Sequence, residues 1–146
     1  MHKLTQQKMI LKRGSARILI VDDDPDITLT LRLVLEENGF IVTVFNDPLT
    51  ALSKFTAGLY DLILLDVRMP KMNGFELYRE IEKVDRQAKV CFITAFLVYY
   101  ESLKELFPMS KATFIKKPIE IYDLVDKIIK QLNGNNANLF ENHSDF

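Results

Sequence analysis

The sequence predicts an α/β fold in which a doubly wound, five-stranded parallel sheet carries helices on both faces. Three observations carry that expectation. Strand-like and helix-like segments alternate five times between residues 15 and 133. The strand-like segments, Leu62-Ile63-Leu64-Leu65 among them, are near-continuous apolar runs, as strands buried on both faces must be. Several helix-like segments open on a cap residue followed by proline or glycine.

Taken in order, Arg17–Val21 is the first strand. Asp24-Pro25 supplies a helix cap with proline at the first helical position, and the helix runs to Asn38, with Gly39 as its stop. Ile41–Phe45 is the second strand, Asp47-Pro48 repeats the cap signal, and Gly58 is expected to end that helix. The third strand covers 62–65. Asn73 and Glu76 stand three apart, as in a capping box, and their helix ends near Val84. A fourth strand over 89–93 precedes a helix over 97–107, and a fifth strand covers 113–115. The last helix is expected over 119–133; Ile121, Leu124, Val125, Ile128, Ile129 and Leu132 share one face, with Asp123, Asp126, Lys127 and Lys130 on the other. Right-handed crossovers leave few topologies for five βα units. The flavodoxin-like (βα)5 order 2-1-3-4-5 is the natural one, and it opens a crevice between strands one and three.

Length and composition fit one ordinary globular domain: 146 residues, 48% hydrophobic, 27% charged. Residues 1–14 are basic and aperiodic and residues 134–146 are polar and Asn-rich, so both are expected to be tails around a domain at 15–133. A docking arm is the functional alternative for the basic tail, and Leu139-Phe140 is a weak docking motif in the polar one. The net charge of −1 argues against nucleic-acid binding by bulk electrostatics. Cys91 has no partner in the chain and its apolar strand makes it a small buried hydrophobe. No apolar stretch approaches the ~20 residues that span a bilayer, and no signal peptide is evident, so a cytoplasmic location is expected.

The chemistry gathers at one sheet edge. Strand one ends in Asp22-Asp23-Asp24 and strand three in Asp66. If those strands are neighbours, Asp22, Asp23 and Asp66 converge, while Asp24 serves the helix cap. Three carboxylates in a half-buried crevice repel unless one is protonated or a cation is bound. Oxygen ligands without His or Cys favour Mg²⁺ or Mn²⁺ over zinc. Strand four ends in Thr94-Ala95 and strand five in Lys116-Lys117-Pro118, bringing a hydroxyl and an ammonium to the same mouth. That combination suits a phosphoryl group, and Asp66 is the central nucleophile for it.

With those residues in view, Ile20-Val21-Asp22-Asp23-Asp24-Pro25, the run from Leu65 to Gly74, Ile93-Thr94-Ala95 and Lys117-Pro118 together resemble a response-regulator receiver domain of two-component signalling. The resemblance covers about residues 15–133 and implies roles. Asp66 would be the phosphoacceptor. Asp23 and Asp66 would ligate Mg²⁺ with the backbone carbonyl of Arg68, and Asp22 would help through water. Thr94 would bond the phosphoryl group and Lys117, rather than Lys116, would be the family lysine, followed by a cis proline. Phe114 would be the aromatic switch, reading out by packing because it lacks a hydroxyl. Lys111-Ala112 departs from the Gly-Ala common before the fifth strand.

The resemblance further implies a phosphodonor, either a histidine kinase or a phosphotransfer protein. It also implies a protein target met through the face of the 97–107 helix, the fifth strand and the last helix. Arg68 and Phe96 would flank the site and tune the phosphate's lifetime. On the first helix Ile27, Leu31, Val34 and Leu35 make a core face, leaving Leu29 and Leu33 on the other side as a candidate kinase contact. Tyr99, Tyr100, Leu103, Leu106 and Phe107 form a stripe that packs onto the sheet or, at its edge, meets a partner. A stand-alone receiver, monomeric or dimerising on phosphorylation, is expected, with no nucleic-acid or membrane partner. One rival is a degenerate receiver that binds without phosphorylation. Another is a haloacid-dehalogenase-type phosphohydrolase, disfavoured because Arg68 stands where that chemistry wants a second acid. A nucleotide-binding domain is disfavoured by the lack of a Gly-rich phosphate loop.

Overall fold

The computed structural model describes residues 15–95, 112–118 and 120–133. In chain order these form β1 (Arg17–Val21), α1 (Pro25–Glu37), β2 (Ile41–Phe45), α2 (Pro48–Lys54), β3 (Leu62–Asp66), α3 (Gly74–Val84), β4 (Val90–Thr94), β5 (Ala112–Lys116) and α4 (Ile121–Leu132). The strands lie in the order β2-β1-β3-β4-β5 and every neighbouring pair is parallel, as the alternation of elements requires. The helix expected over 97–107, Phe96, the stripe from Tyr99 to Phe107 and both tails lie outside the described residues.

Successive strand residues point to opposite faces, so each apolar strand feeds two cores. Ile18, Ile20, Leu62, Leu64, Cys91, Ile93 and Ile115 pack with Leu35 of α1 and with Leu124, Val125, Ile128 and Ile129 of α4. Leu19, Val21, Ile63, Leu65, Val90, Phe92 and Phe114 pack on the other face with Ala51 of α2 and Phe75, Leu77, Tyr78 and Ile81 of α3. A strand slipped by one residue would exchange these two sets, which locks the register. Cys91 is fully buried and its thiol is pushed up to about 12 by desolvation, so it stays a neutral packing group.

Side-chain caps fix where α1, α2 and α3 begin. The Asp24 carboxylate accepts from the Asp26 N–H at 2.9 Å, with Pro25 opening α1. Asp47 accepts from the N–H and hydroxyl of Thr50 at 3.0 and 2.7 Å. Asn73 and Glu76 bond reciprocally at 2.9 and 3.0 Å, completing the capping box. Several boundaries differ from expectation. α2 stops at Lys54 because Phe55 turns to extended backbone and lays its ring 5.8 Å from that of Tyr60. Gly58 instead uses its φ of 77° in the following turn, where its N–H donates to Asp85 at 2.9 Å. β3 and β4 each extend one residue further, to Asp66 and Thr94, and α4 begins at Ile121 rather than 119. No helix among the described residues is long and apolar enough to cross a membrane.

Candidate functional site

The sheet brings the acidic residues together by register alone. β1 and β3 are neighbours, with Val21 opposite Leu65, so the residues that follow them, Asp22 and Asp66, leave the sheet side by side. One carboxylate oxygen from each of Asp22, Asp23 and Asp66 lies within 4.8 Å of the others. Asp22 is buried and Asp23 is exposed, so the cluster has a closed floor and an open rim. Asp24 stays outside it: its backbone N–H donates to Asp22 Oδ1 at 3.0 Å, while its carboxylate caps α1.

Lys117 arrives from the far side of the sheet. Its backbone N–H donates to the Thr94 carbonyl at 2.7 Å, which ties the end of β5 to the end of β4. Its Nζ then reaches across β4 to donate to Asp22 Oδ2 at 3.1 Å and Asp66 Oδ1 at 3.2 Å. The Lys117–Pro118 bond is cis. Thr94 is buried at the same edge.

Charge is crowded here. Desolvation, then repulsion from Asp22, pushes the Asp66 carboxyl from 3.8 up to about 6, with Lys117 opposing both. Burial works against the Lys117 ammonium, but the facing Asp66 and Asp22 carboxylates outweigh it and hold its pKa above the ordinary lysine value. A half-buried carboxylate with an elevated pKa beside an ammonium, in an all-oxygen cluster, marks a candidate functional group at a mouth suited to a cation. The donor set fits a small hard divalent cation: three carboxylates at one mouth and no sulfur or imidazole in the cluster.

The loop after β3 wraps this mouth. Met69 is buried, Arg68 and Lys71 are exposed, and Lys71 takes a φ of 73°. The loop closes on Gly74, whose N–H donates to the Val67 carbonyl at 2.8 Å. A Cβ on Gly74 would sit 2.2 Å from the Asp66 carbonyl oxygen, so only glycine lets α3 begin this close to the Asp66 backbone.

The remaining expected positions are distributed as follows. Phe114 is buried, its ring 5.1 Å from that of Phe92 and 6.2 Å from that of Phe75, so it lies in the α2/α3 core rather than on the surface. Leu29 and Leu33 are 56% and 53% exposed and lie away from the buried Leu35. Two features escaped the sequence reading. Gln131 lies fully buried on α4, accepting from Thr113 Oγ1 at 2.8 Å and donating to the Val90 carbonyl at 3.4 Å. Asn46, one residue past β2, bonds the turn that carries the acidic residues.

Fold and site together define an α/β domain with a cation-ready acidic mouth and a lysine bridging two of its carboxylates. The model of the response regulator receiver domain matches residues 18–129, and the chain belongs to that family. The response regulator receiver protein CpdR of Brucella abortus is 34% identical over 116 residues, spanning 80% of this chain and 96% of that protein. The transcriptional regulatory protein YkoG of Bacillus subtilis is also 34% identical, across 81% of this chain, but this chain spans only 51% of its length. Among solved structures, the response regulator TrrA of Thermotoga maritima, in complex with Mg²⁺ and BeF, matches with a TM-score of 0.69. It is 34% identical, with 80% of this chain and 98% of that one covered. The HemR receiver domain of Leptospira biflexa matches with a TM-score of 0.74 at 29% identity, over 81% and 94% of the two chains.

Proposed function

We propose that the chain is a phosphorylation-dependent switch in which Asp66 accepts a phosphoryl group from a phosphohistidine on a histidine kinase or phosphotransfer protein. One observation supports this above the others: Lys117 Nζ stands between Asp22 and Asp66, within hydrogen-bond reach of both. An ammonium held there meets an incoming phosphoryl oxygen while leaving a second Asp66 oxygen to attack. Asp22, Asp23, Asp66 and the Arg68 carbonyl would hold Mg²⁺, or Mn²⁺, which when bound neutralises charge on the transferring group.

The reaction is an in-line displacement at phosphorus. An Asp66 oxygen forms the new P–O bond as the P–N bond to the donor imidazole breaks. The leaving nitrogen keeps the electron pair and is reprotonated. Lys117 pairs with the phosphoryl oxygens. Thr94 moves to donate its hydroxyl to the phosphate, and Phe114 repacks with it, changing the surface of β5 and α4 for a downstream protein. This is a shift between two packings biased by new charge. Water later cleaves the acyl phosphate, regenerating Asp66; Arg68 beside the mouth is placed to affect that rate.

Leu29 and Leu33 on α1 supply an apolar contact for the phosphodonor. The receiver unit is 15–133, flanked by a basic 1–14 and a polar 134–146 segment, and it acts in the cytoplasm as a monomer or a phosphorylation-linked dimer. Incubation with acetyl phosphate and Mg²⁺, followed by intact mass, tests the reading. One added phosphoryl group on the wild type and none on Asp66→Asn is expected. No addition with any donor favours a phosphorylation-independent binding module.

A further inference from the structure

We infer that Asn46 is a positioning residue for the cation site: it clamps the peptide between Asp22 and Asp23 and so fixes where the exposed Asp23 carboxylate stands. The Asn46 amide donates one hydrogen to the Asp22 carbonyl at 2.8 Å and the other to Thr28 Oγ1 at 2.9 Å. Its orientation is unambiguous, because a backbone carbonyl only accepts. Thr28, itself buried, passes its own hydroxyl hydrogen to the Pro25 carbonyl at 3.1 Å, so its oxygen is left to accept from Asn46. One side-chain amide therefore ties the end of β2 to the start of the turn after β1 and to the first turns of α1.

The consequence follows from peptide planarity. The Asp22 carbonyl and the Asp23 N–H belong to one rigid unit. Asp22 N–H already donates to the Phe45 carbonyl at 3.2 Å, at the end of β2. With Asn46 holding the carbonyl as well, the backbone is fixed on both sides of Asp22, and the Cα of Asp23 can no longer swing about that peptide. Asp22 has further anchors in the Asp24 N–H and Lys117. Asp23 lies at the exposed rim, where backbone placement decides whether its oxygen reaches the other two carboxylates. Partners that orient metal ligands contribute to affinity without touching the ion.

This inference rests on the reading of Asp22, Asp23 and Asp66 as cation ligands. Its test is calorimetric titration of the full chain with Mg²⁺, comparing wild type, Asn46→Ala, Thr28→Val and Asn38→Ala. Asn46→Ala is expected to weaken Mg²⁺ binding about tenfold, the lower end for lost orienting partners. Thr28→Val, which removes the second acceptor and the bond to the Pro25 carbonyl but leaves Asn46 on the Asp22 carbonyl, is expected to weaken it less. Asn38→Ala deletes a bond of the same kind, from Nδ2 to the Val34 carbonyl at 2.8 Å, at the opposite end of α1. It should lower the melting temperature and leave Mg²⁺ affinity unchanged. In acetyl phosphate assays Asn46→Ala should need more Mg²⁺ for half-maximal phosphorylation yet reach the wild-type rate at saturation. Wild-type Mg²⁺ affinity in folded Asn46→Ala would overturn the inference alone. Should Asn46→Ala not fold, unchanged affinity in Thr28→Val does the same. A wild type that binds no Mg²⁺ removes the cation reading itself.

Discussion

Replacing Asp66 by Asn should stabilise the protein when no divalent cation is present, although it removes half of an ion pair. The substitution keeps the shape and deletes the charge. In the folded chain the Asp66 carboxyl lies near 6 against an ordinary 3.8, mainly because burial and Asp22 disfavour its ionised form more than Lys117 favours it. At about 1.4 kcal/mol per tenfold, that gap corresponds to about 3 kcal/mol at most. The mouth is open to water on one side, and screening reduces the figure to about 1–2 kcal/mol. The folded pKa is raised above the unfolded one, so the stability contributed by protonated Asp66 is fully present below 3.8 and is lost as pH rises through about 6. Lys117 keeps its bond to Asp22 in the variant. Thermal melts in chelator, from acidic to neutral pH, should show the variant more stable near neutrality by about 4–8 °C, at roughly 4 °C per kcal/mol. The advantage should shrink as pH falls towards 4, and added Mg²⁺ should stabilise wild type more than the variant. A variant that melts below wild type at neutral pH, or a difference independent of pH, would refute the charge-crowding argument.

Other substitutions probe separate parts of the site. Lys117→Ala should slow phosphorylation by acetyl phosphate about a hundredfold, as loss of one oxyanion donor does, with rates read by intact mass over time. Gly74→Ala must move α3 off the Asp66 carbonyl and should cost about 2–4 kcal/mol in urea unfolding; an unchanged midpoint would mean that the close approach is not required. Leu29→Lys should change stability by less than about 0.5 kcal/mol and leave acetyl phosphate labelling intact, while phosphotransfer from the cognate kinase is lost.

Much of the fold was legible because its signals are local. Asp24-Pro25 and Asp47-Pro48 set two helix starts, and Asn73 with Glu76 a third, through bonds made within four residues. The apolar strands gave the parallel sheet, and the sheet order then placed Asp22, Asp23 and Asp66 together. What stayed hidden depends on residues distant in sequence. The stop of α2 at Lys54 reflects a ring contact between Phe55 and Tyr60, whereas Gly58 looked like an ordinary helix stop. Gln131 follows Lys130 on the last helix and looks like one more solvated polar residue; its bonds to Thr113 and Val90 account for its burial. Gly74 was visible in the Asn73-Gly74 motif, but its necessity comes from the Asp66 carbonyl above it. Asn46 carries no motif at all; its partners are 18 and 24 residues away in sequence.

The central claim is that Asp66 itself becomes an acyl phosphate. Treating the acetyl phosphate-labelled chain with borohydride reduces an acyl phosphate to the alcohol, so peptide sequencing by mass spectrometry should find homoserine at position 66 and aspartate unchanged at 22 and 23. Phosphate retained on a histidine, serine or threonine, or homoserine at any position other than 66, would contradict it.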